Sequence, residues 1–271
     1  MTTTTERPSD LAAVKQRQQT VWASGDFAEI ATLIVPAAER LADAADLRAG
    51  SDVLDVATGS GNVAIAAARL GCRVVGIDYV PALLERGRER ARAERLTIEF
   101  VDGDAEAIPF GDGSFDAVVS AYGSMFAPDH RRTAAEILRV TRPTGRVALA
   151  SWTPEGFLGA LFGTVAGHVP PPAGVQSPML WGTEEHLLEL FGDDVAWEHH
   201  RRRTFTFRFT SPEAFVETFV RYYGPTLKAA EAAGPALTED LQALVRQWNR
   251  LHEGGPIAVP GEYLESVGTR R

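Results

Sequence analysis

The stretch Val53 to Ile65, VLDVATGSGNVAI, decides how this chain is read. With Asp52 it opens as a short β-branched run, breaks at the glycine turn ATGSG, and continues as a helical stretch from about Asn62. Strand, glycine turn and helix in that order begin a βαβ unit. Gly59 and Gly61 let backbone approach a ligand closely, and the helix N-terminus points free N–H groups at it. Such a turn alone does not say which ligand; its neighbours must.

Four further β-branched runs follow, RVVGID, TIEFVDGD, FDAVVS and RVALAS, and the helical stretches between the runs cover about 61–70, 81–93 and 128–141. This alternation predicts right-handed βαβ units and a parallel sheet covered on both faces. Ahead of it, Leu11, Val14, Gln18, Val21 and Trp22 follow helical spacing. A second helix starts at Phe27 with Ile30, Ile34 and Leu41 on one side, and Pro36 breaks or restarts it.

After Ser151 the alternation loosens into a helix at 155–166 and a proline-rich loop from His168 to Pro178, HVPPPAGVQSP. Thr183 and Gly192 cap another helix. Phe205, Phe207 and Phe209 then alternate with Thr206 and Arg208, which is strand periodicity. Ser211 and Pro212 open a helix to about Tyr223, and Leu241, Leu244, Val245, Trp248 and Leu251 mark another. GEYLESVG returns as a last strand, giving an antiparallel pair at the sheet edge.

The 271 residues suffice for one elaborated α/β domain, and 23% charged with 45% hydrophobic residues is ordinary globular composition. Only the leading MTTTTERPSD, residues 1–10, reads as an unstructured tail. A net charge of −9 argues against nucleic acid as a partner. With one cysteine, Cys72, no signal peptide and no bilayer-length apolar run, the expectation is a cytoplasmic protein without integral membrane association, monomer or homodimer. The six histidines are scattered and no metal site is expected. The arginine-rich ERGRERARAER reads as a solvated helix face.

In a doubly wound sheet the ligand lies beyond the C-terminal end of the first strand. An NAD fingerprint would place its third glycine at position 64, which is Ala64. Asp78, nineteen residues after Gly59 at the end of the second strand, suits the ribose hydroxyls of any adenosine ligand. Asp55 sits inside the first strand, where a charge needs a strong reason to be buried. The third strand ends in VDGDAEAIPF, whose Asp104 can accept from an exocyclic amine while backbone near Ala105 meets a ring edge. The plain alternative for Asp78 and Asp104 is a turn aspartate.

Taken in order, VLDVATGSGNVAI, VVGIDYV, VDGDAEAIPFGDGSFDAVVSAYGSMF and EILRVTRPTGRVALASW make residues 50–152 resemble the class I S-adenosylmethionine-dependent methyltransferases. Within them, the chain is similar to the small-molecule branch related to the ubiquinone/menaquinone C-methyltransferases. The family motif D-x-G-x-G-x-G runs here from Asp55 to Gly61 with Ala57 in place of the first glycine. The resemblance implies a Rossmann-like, seven-stranded, mostly parallel α/β sheet with helices on both faces and an antiparallel edge strand. It implies a single domain over 1–271, comprising a helical lid (11–49), a cofactor core (50–152), and sheet completion with inserted helices as substrate cover (153–271).

It further implies S-adenosylmethionine as cofactor and S-adenosylhomocysteine as product. Asp78 would hold the ribose diol and Asp104 the adenine amine. Backbone at Ala57, Thr58, Gly59 and Gly61 would flank the amino-acid end, and Asp55 would order the turn or a water at the ammonium. Ser120 and Ala121 would close the site, with Tyr79, Val80, Ala105 and Met125 contacting adenine or the thioether.

The sulfonium methyl is already activated, so alignment and desolvation can suffice for transfer. Trp22, Asp26, Phe27 and Ile30 belong to the implied lid and either wall a substrate pocket or form a helix core face. Tyr122, directly after the fourth strand, is a candidate to touch the reacting group. His168, and His199 or His200, are candidates for a base, each with a surface or structural alternative. Trp152, Phe157 and Trp181 line the pocket or pack.

The Asn/Asp-Pro-Pro-Tyr box of nucleic-acid amino-methyltransferases is replaced by Ser120-Ala121-Tyr122-Gly123, and no cysteine stands there for pyrimidine C5 chemistry. The acceptor is then a small, partly apolar molecule (natural product, quinone or lipid) methylated at O, C or N. Two other readings stand beside it: an NAD-type oxidoreductase, and a cofactor-binding protein without turnover.

Overall fold

The computed structural model describes residues 11–252 and 254–271, so the expectation for the 1–10 tail falls outside the described residues. Three helices lead in: α1 (Leu11–Trp22), α2 (Phe27–Leu33) and α3 (Val35–Ala44). Asp26 caps α2 by accepting from the Ala28 N–H, and Pro36 falls in the first turn of α3, so the proline restarts the helix.

The alternating core then runs β1 (Asp52–Val56), α4 (Asn62–Arg69), β2 (Arg73–Asp78), α5 (Pro81–Ala93), β3 (Ile98–Asp102), β4 (Phe115–Ala121), α6 (His130–Val140) and β5 (Thr141–Trp152). These strands pair in parallel. Helices cover both faces, so Leu54, Val118 and Val147 are wholly buried. That explains why the runs are continuously apolar instead of alternating. Truncating such a residue, Leu54→Ala for instance, costs about 2–5 kcal/mol.

The later half contributes α7 (Phe157–His168), α8 (Glu184–Phe191), β6 (Val195–Phe209), α9 (Pro212–Tyr222), α10 (Gly224–Ala233), α11 (Pro235–Trp248) and β7 (Ile257–Arg270). The sheet order is β3-β2-β1-β4-β5-β7-β6. β7 runs antiparallel to both β5 and β6, so the antiparallel pair forms at that edge. Strand order reverses between β1 and β4, which places the ligand crevice above the C-terminal ends of those strands.

Two details differ from the sequence reading. α7 begins at Phe157 and runs through His168, which therefore ends a helix and does not lie in the proline-rich loop. The stretch after Tyr223 divides into α10 and α11 because Gly234, at φ +71°, breaks the chain between them. Among the described residues, no helix is long and apolar enough to cross a membrane.

Candidate active site

A cleft of about 840 Å³ opens above the C-terminal ends of β1, β2 and β4. Its floor is the glycine turn, where Ala57, Gly59 and Gly61 all take positive φ, at +52°, +55° and +85°. For Ala57 the left-handed conformation costs about 1–2 kcal/mol. Gly123 makes room for it across the turn. A Cβ on Gly123 would lie 2.7 Å from the Ala57 Cβ and overlap the Ala57 carbonyl oxygen.

Asp55 ties this turn together from behind. Its Oδ2 accepts from the Thr58 hydroxyl at 2.6 Å and from the Ala64 N–H at 2.9 Å. Burial pushes its pKa up to about 7. Gly76 leaves the space that the Thr58 side chain fills. On the other side Arg90 donates to the Ser60 carbonyl and to Asn62 Oδ1, each at 2.7 Å. Arg90 thus braces the turn, which corrects the reading of its segment as a uniformly solvated face.

Asp78 forms the wall at the end of β2. Oδ2 accepts from the Gly59 N–H and Oδ1 from the Val80 N–H, both at 2.9 Å. It is 6% exposed, and burial raises its pKa to about 6. Each carboxylate oxygen keeps a further lone pair for a hydroxyl donor. Tyr79, Val80 and Ala105 line the same wall. At the far end Asp104 Oδ1 accepts from the Glu106 N–H at 2.9 Å, and its Oδ2 meets Lys15 Nζ at 2.5 Å.

Two acceptor carboxylates at the ends of adjacent strands, set beside a glycine turn, fit an adenosine ligand carrying vicinal hydroxyls and an exocyclic amine. Asp78 suits the hydroxyls and Asp104 the amine.

A second chamber of about 360 Å³ adjoins the cleft and shares Trp22, Phe27, Ile34, Tyr122 and Phe126 with it. Its remaining walls are Ile30, Trp152, Leu158, Phe207, Phe219 and Tyr223, and none of the described residues that line it is charged. Tyr122 stands between the two spaces at φ +60°, a strained value for a bulky residue. Its N–H donates to the Ala150 carbonyl at 2.8 Å, while its buried hydroxyl has no hydrogen-bond partner among the described residues. Burial pushes the phenol well above its ordinary pKa, so it stays protonated near neutrality.

The structure thus gathers Ala57, Thr58, Gly59, Asp78, Tyr79, Asp104, Ala105 and Tyr122 around the cleft, and Trp22, Phe27, Ile30 and Trp152 around the chamber. Other expected contacts are corrected. Of the two roles expected for Asp55, the structure shows the ordering of the turn, from beneath it and away from the cleft. Gly61 starts α4 and faces Phe100. Ser120 is buried, donating to the Val56 carbonyl at 2.7 Å and accepting from the Ser124 N–H at 3.0 Å. Met125 is 0% exposed in the core.

Among the expected substrate contacts, Phe157 packs between Phe215 and Trp248, and Trp181 packs against His130 and Phe191. Both belong to the core. Asp26 caps α2 and pairs with Arg86, which leaves it structural. His168 ties α7 to α11 through Asp240, with 2.7 Å between Nε2 and Oδ2, and lines neither space. His199 and His200 are engaged within the β6–β7 pair by Glu265 and Ser266. Among the described residues, no group of three or more His, Cys, Asp or Glu is placed to hold a metal.

Sequence reasoning missed Lys15, Phe126, Phe207, Phe219 and Tyr223, all of which line the site. For Lys15 a signal existed. Lys15, Gln18, Gln19 and Trp22 share one face of α1 by their spacing. The aromatics gave none, because a pocket-facing Phe and a core Phe show the same periodicity.

A family model described as a methyltransferase domain matches residues 54–149. An uncharacterized protein of Mycobacterium tuberculosis (strain H37Rv) is 42% identical over 231 residues, which are 84% of this chain and 83% of that protein. The demethylmenaquinone methyltransferase of Deinococcus radiodurans is 42% identical over 126 residues, 45% of this chain and 52% of its own length. In fold, the structure matches a geranyl diphosphate methyltransferase solved in complex with SAM, with a TM-score of 0.56 and 20% identity over 90% of this chain and 88% of that one. Cleft, motif order and relatives agree: the chain belongs to the class I S-adenosylmethionine-dependent methyltransferases.

Proposed function

We propose that this methyltransferase acts on a small, largely apolar acceptor, in the natural-product, quinone or lipid range, at an O, C or N nucleophile. One observation carries this reading. Among the described residues, the walls of the chamber beside the cofactor cleft are aromatic and aliphatic, with tyrosine hydroxyls and indole N–H groups as its polar side-chain atoms, and it shares five residues with the cleft. A charged acceptor would meet no counter-ion there.

Bound S-adenosylmethionine supplies the activated methyl. The protein's residues supply capture, orientation and dryness. In this reading Asp78 accepts from the ribose hydroxyls and Asp104 from the adenine amine, while Ala57, Thr58 and Gly59 seat the amino-acid end. Trp22 and Phe27 exclude water between the two spaces, and Tyr122 offers its hydroxyl as a neutral donor to a polar atom of the acceptor. Alignment at an effective molarity of this kind is worth several kcal/mol, roughly 7–11 at its upper range. The single unit 1–271 then divides its work among a lid (11–49), a cofactor core (50–152) and a cover (153–271).

The test is calorimetry with S-adenosylmethionine, S-adenosylhomocysteine and NAD on the wild type and on Asp78→Ala, followed by a radiolabelled-methyl screen over neutral phenols, quinols, prenyl compounds and charged amines. Binding of the first two ligands, lost in the variant, with turnover confined to neutral acceptors, supports the reading. Binding of NAD alone, or turnover confined to charged amines, overturns it.

A further inference from the structure

Helix α1 crosses the mouth of the cofactor cleft, held at its C-terminal end by Trp22, which packs against Phe27, Phe126 and Tyr223, and along its length by polar ties to the rim. Val14 is its one side chain in the buried core. Lys15, Gln18, Gln19 and Trp22 fall on one face at i, i+3, i+4 and i+7, and that face meets three loops. Lys15 Nζ lies 2.5 Å from Asp104 Oδ2 and 2.6 Å from Glu106 Oε2, both between β3 and β4. Gln19 Nε2 donates to the Tyr79 carbonyl after β2, and Gln18 Nε2 donates to the Phe126 carbonyl at 3.2 Å after β4.

Lys15 is the one cation among the described residues that line the cleft, where it faces Asp104 with Asp78 further along the wall. The Asp104 carboxylate is fixed from both sides, by the Glu106 N–H at Oδ1 and by Lys15 at Oδ2. Glu106 is itself held, since its Oε1 accepts from the Asp129 N–H at 2.8 Å. The lysine therefore joins the middle of α1, seven residues before its Trp22 anchor, to a carboxylate of the cofactor wall. About a quarter of the Lys15 side chain is exposed, so the bridge is partly desolvated, and two carboxylates face its one ammonium.

We infer that Lys15 is a cofactor-clamping residue: it orients Asp104 toward the adenine end and holds α1 closed across it, so that exchange of cofactor for product requires the Lys15 bridge to break. The inference rests on the reading of Asp104 as the adenine acceptor. It adds that a lid residue outside the motif region sets the residence time of the cofactor.

Stopped-flow release of S-adenosylhomocysteine is measured for the wild type, Lys15→Met, Lys15→Arg and Asp104→Asn, at low and high salt, with hydrogen exchange of residues 11–22 recorded on the same samples. Lys15→Met should release product about tenfold faster, lose most of the salt dependence and raise exchange in α1, with Lys15→Arg restoring most of the wild-type behaviour. Release and exchange equal to wild type in Lys15→Met, with Asp104→Asn still weakened, overturns the clamp alone. Unchanged binding in Asp104→Asn overturns the adenine reading and the clamp with it.

Discussion

Tyr122 lies flat on Trp152, the ring centroids 3.7 Å apart and the planes within 7°. β4 ends at Ala121 and β5 ends at Trp152, so the ends of two neighbouring strands deliver both rings to one place. The stack fixes the phenol that stands between the cofactor cleft and the apolar chamber. It also holds Tyr122 at its positive φ, a local strain that the surrounding packing has to sustain.

Tyr122→Phe keeps the stack and removes only a buried hydroxyl that has no partner among the described residues. Folding stability should stay level or rise by about 1 kcal/mol, since an unsatisfied buried group is a cost. Methyl transfer should fall roughly 10–100-fold with affinity for S-adenosylhomocysteine unchanged. Thermal melts together with single-turnover rates check this. Wild-type rates would reduce the hydroxyl to a bystander and leave only the ring's packing role.

Gly123 and Ala57 should respond in opposite ways. Ala57→Gly removes a left-handed alanine, and the gain is partly cancelled by the greater freedom of glycine in the unfolded chain, so stability should move by less than about 1 kcal/mol. Gly123→Ala drives a Cβ into the Ala57 carbonyl and should abolish cofactor binding and lower the Tm by several degrees. Because the clash is with backbone, adding Ala57→Gly should not rescue it. Recovery of binding in the double variant would contradict that geometry.

Asp78 and Asp55 give two pH effects of opposite sense. The Asp78 carboxylate must be ionised to accept fully from hydroxyl donors, and its pKa is raised to about 6. Cofactor affinity should therefore weaken as pH falls through about 6, which calorimetry between pH 5 and 8 will show. Folding behaves the other way. Both groups sit above their ordinary value of 3.8, with Asp55 at about 7, so the native state binds more protons than the unfolded one between those values. Stability of the cofactor-free protein should then decline as pH rises from about 4 to 7. Asp55→Asn should flatten that slope in urea titrations; an unaltered slope would move its origin elsewhere.

His168→Ala should leave methyl transfer within about twofold of wild type, because the imidazole pairs with Asp240 between α7 and α11 and reaches neither space. The partly exposed pair is worth at most about 1 kcal/mol. Steady-state rates and a melt suffice; a rate loss of about 100-fold would restore His168 as a base.

Sequence alone determined the αβ core and the positions of Asp55, Asp78 and Asp104, because buried parallel strands are continuous β-branched runs and a carboxylate after a strand keeps a fixed spacing from the glycine turn. It also determined an interruption at Pro36, which the structure resolves as a restart, and the caps at Thr183 and Gly192, since these depend on local dihedrals and hydrogen bonds. Only the tertiary structure decided which side of each apolar residue faces space and which faces neighbours. Trp152 and Trp181 read alike in the sequence, yet one borders the chamber and the other is enclosed by His130 and Phe191. Lys15 shares a helix face with Gln18, Gln19 and Trp22 by its spacing, but its partners appear only when α1 folds across the loop carrying Asp104 and Glu106, 89 and 91 residues further along. The glycine turn is legible because its left-handed residues are written locally, though Asp78, Arg90 and Gly123 brace it from far along the chain; the chamber exists where α1, α2, α7, α9 and three strand ends meet, and no short-range signal encodes that meeting.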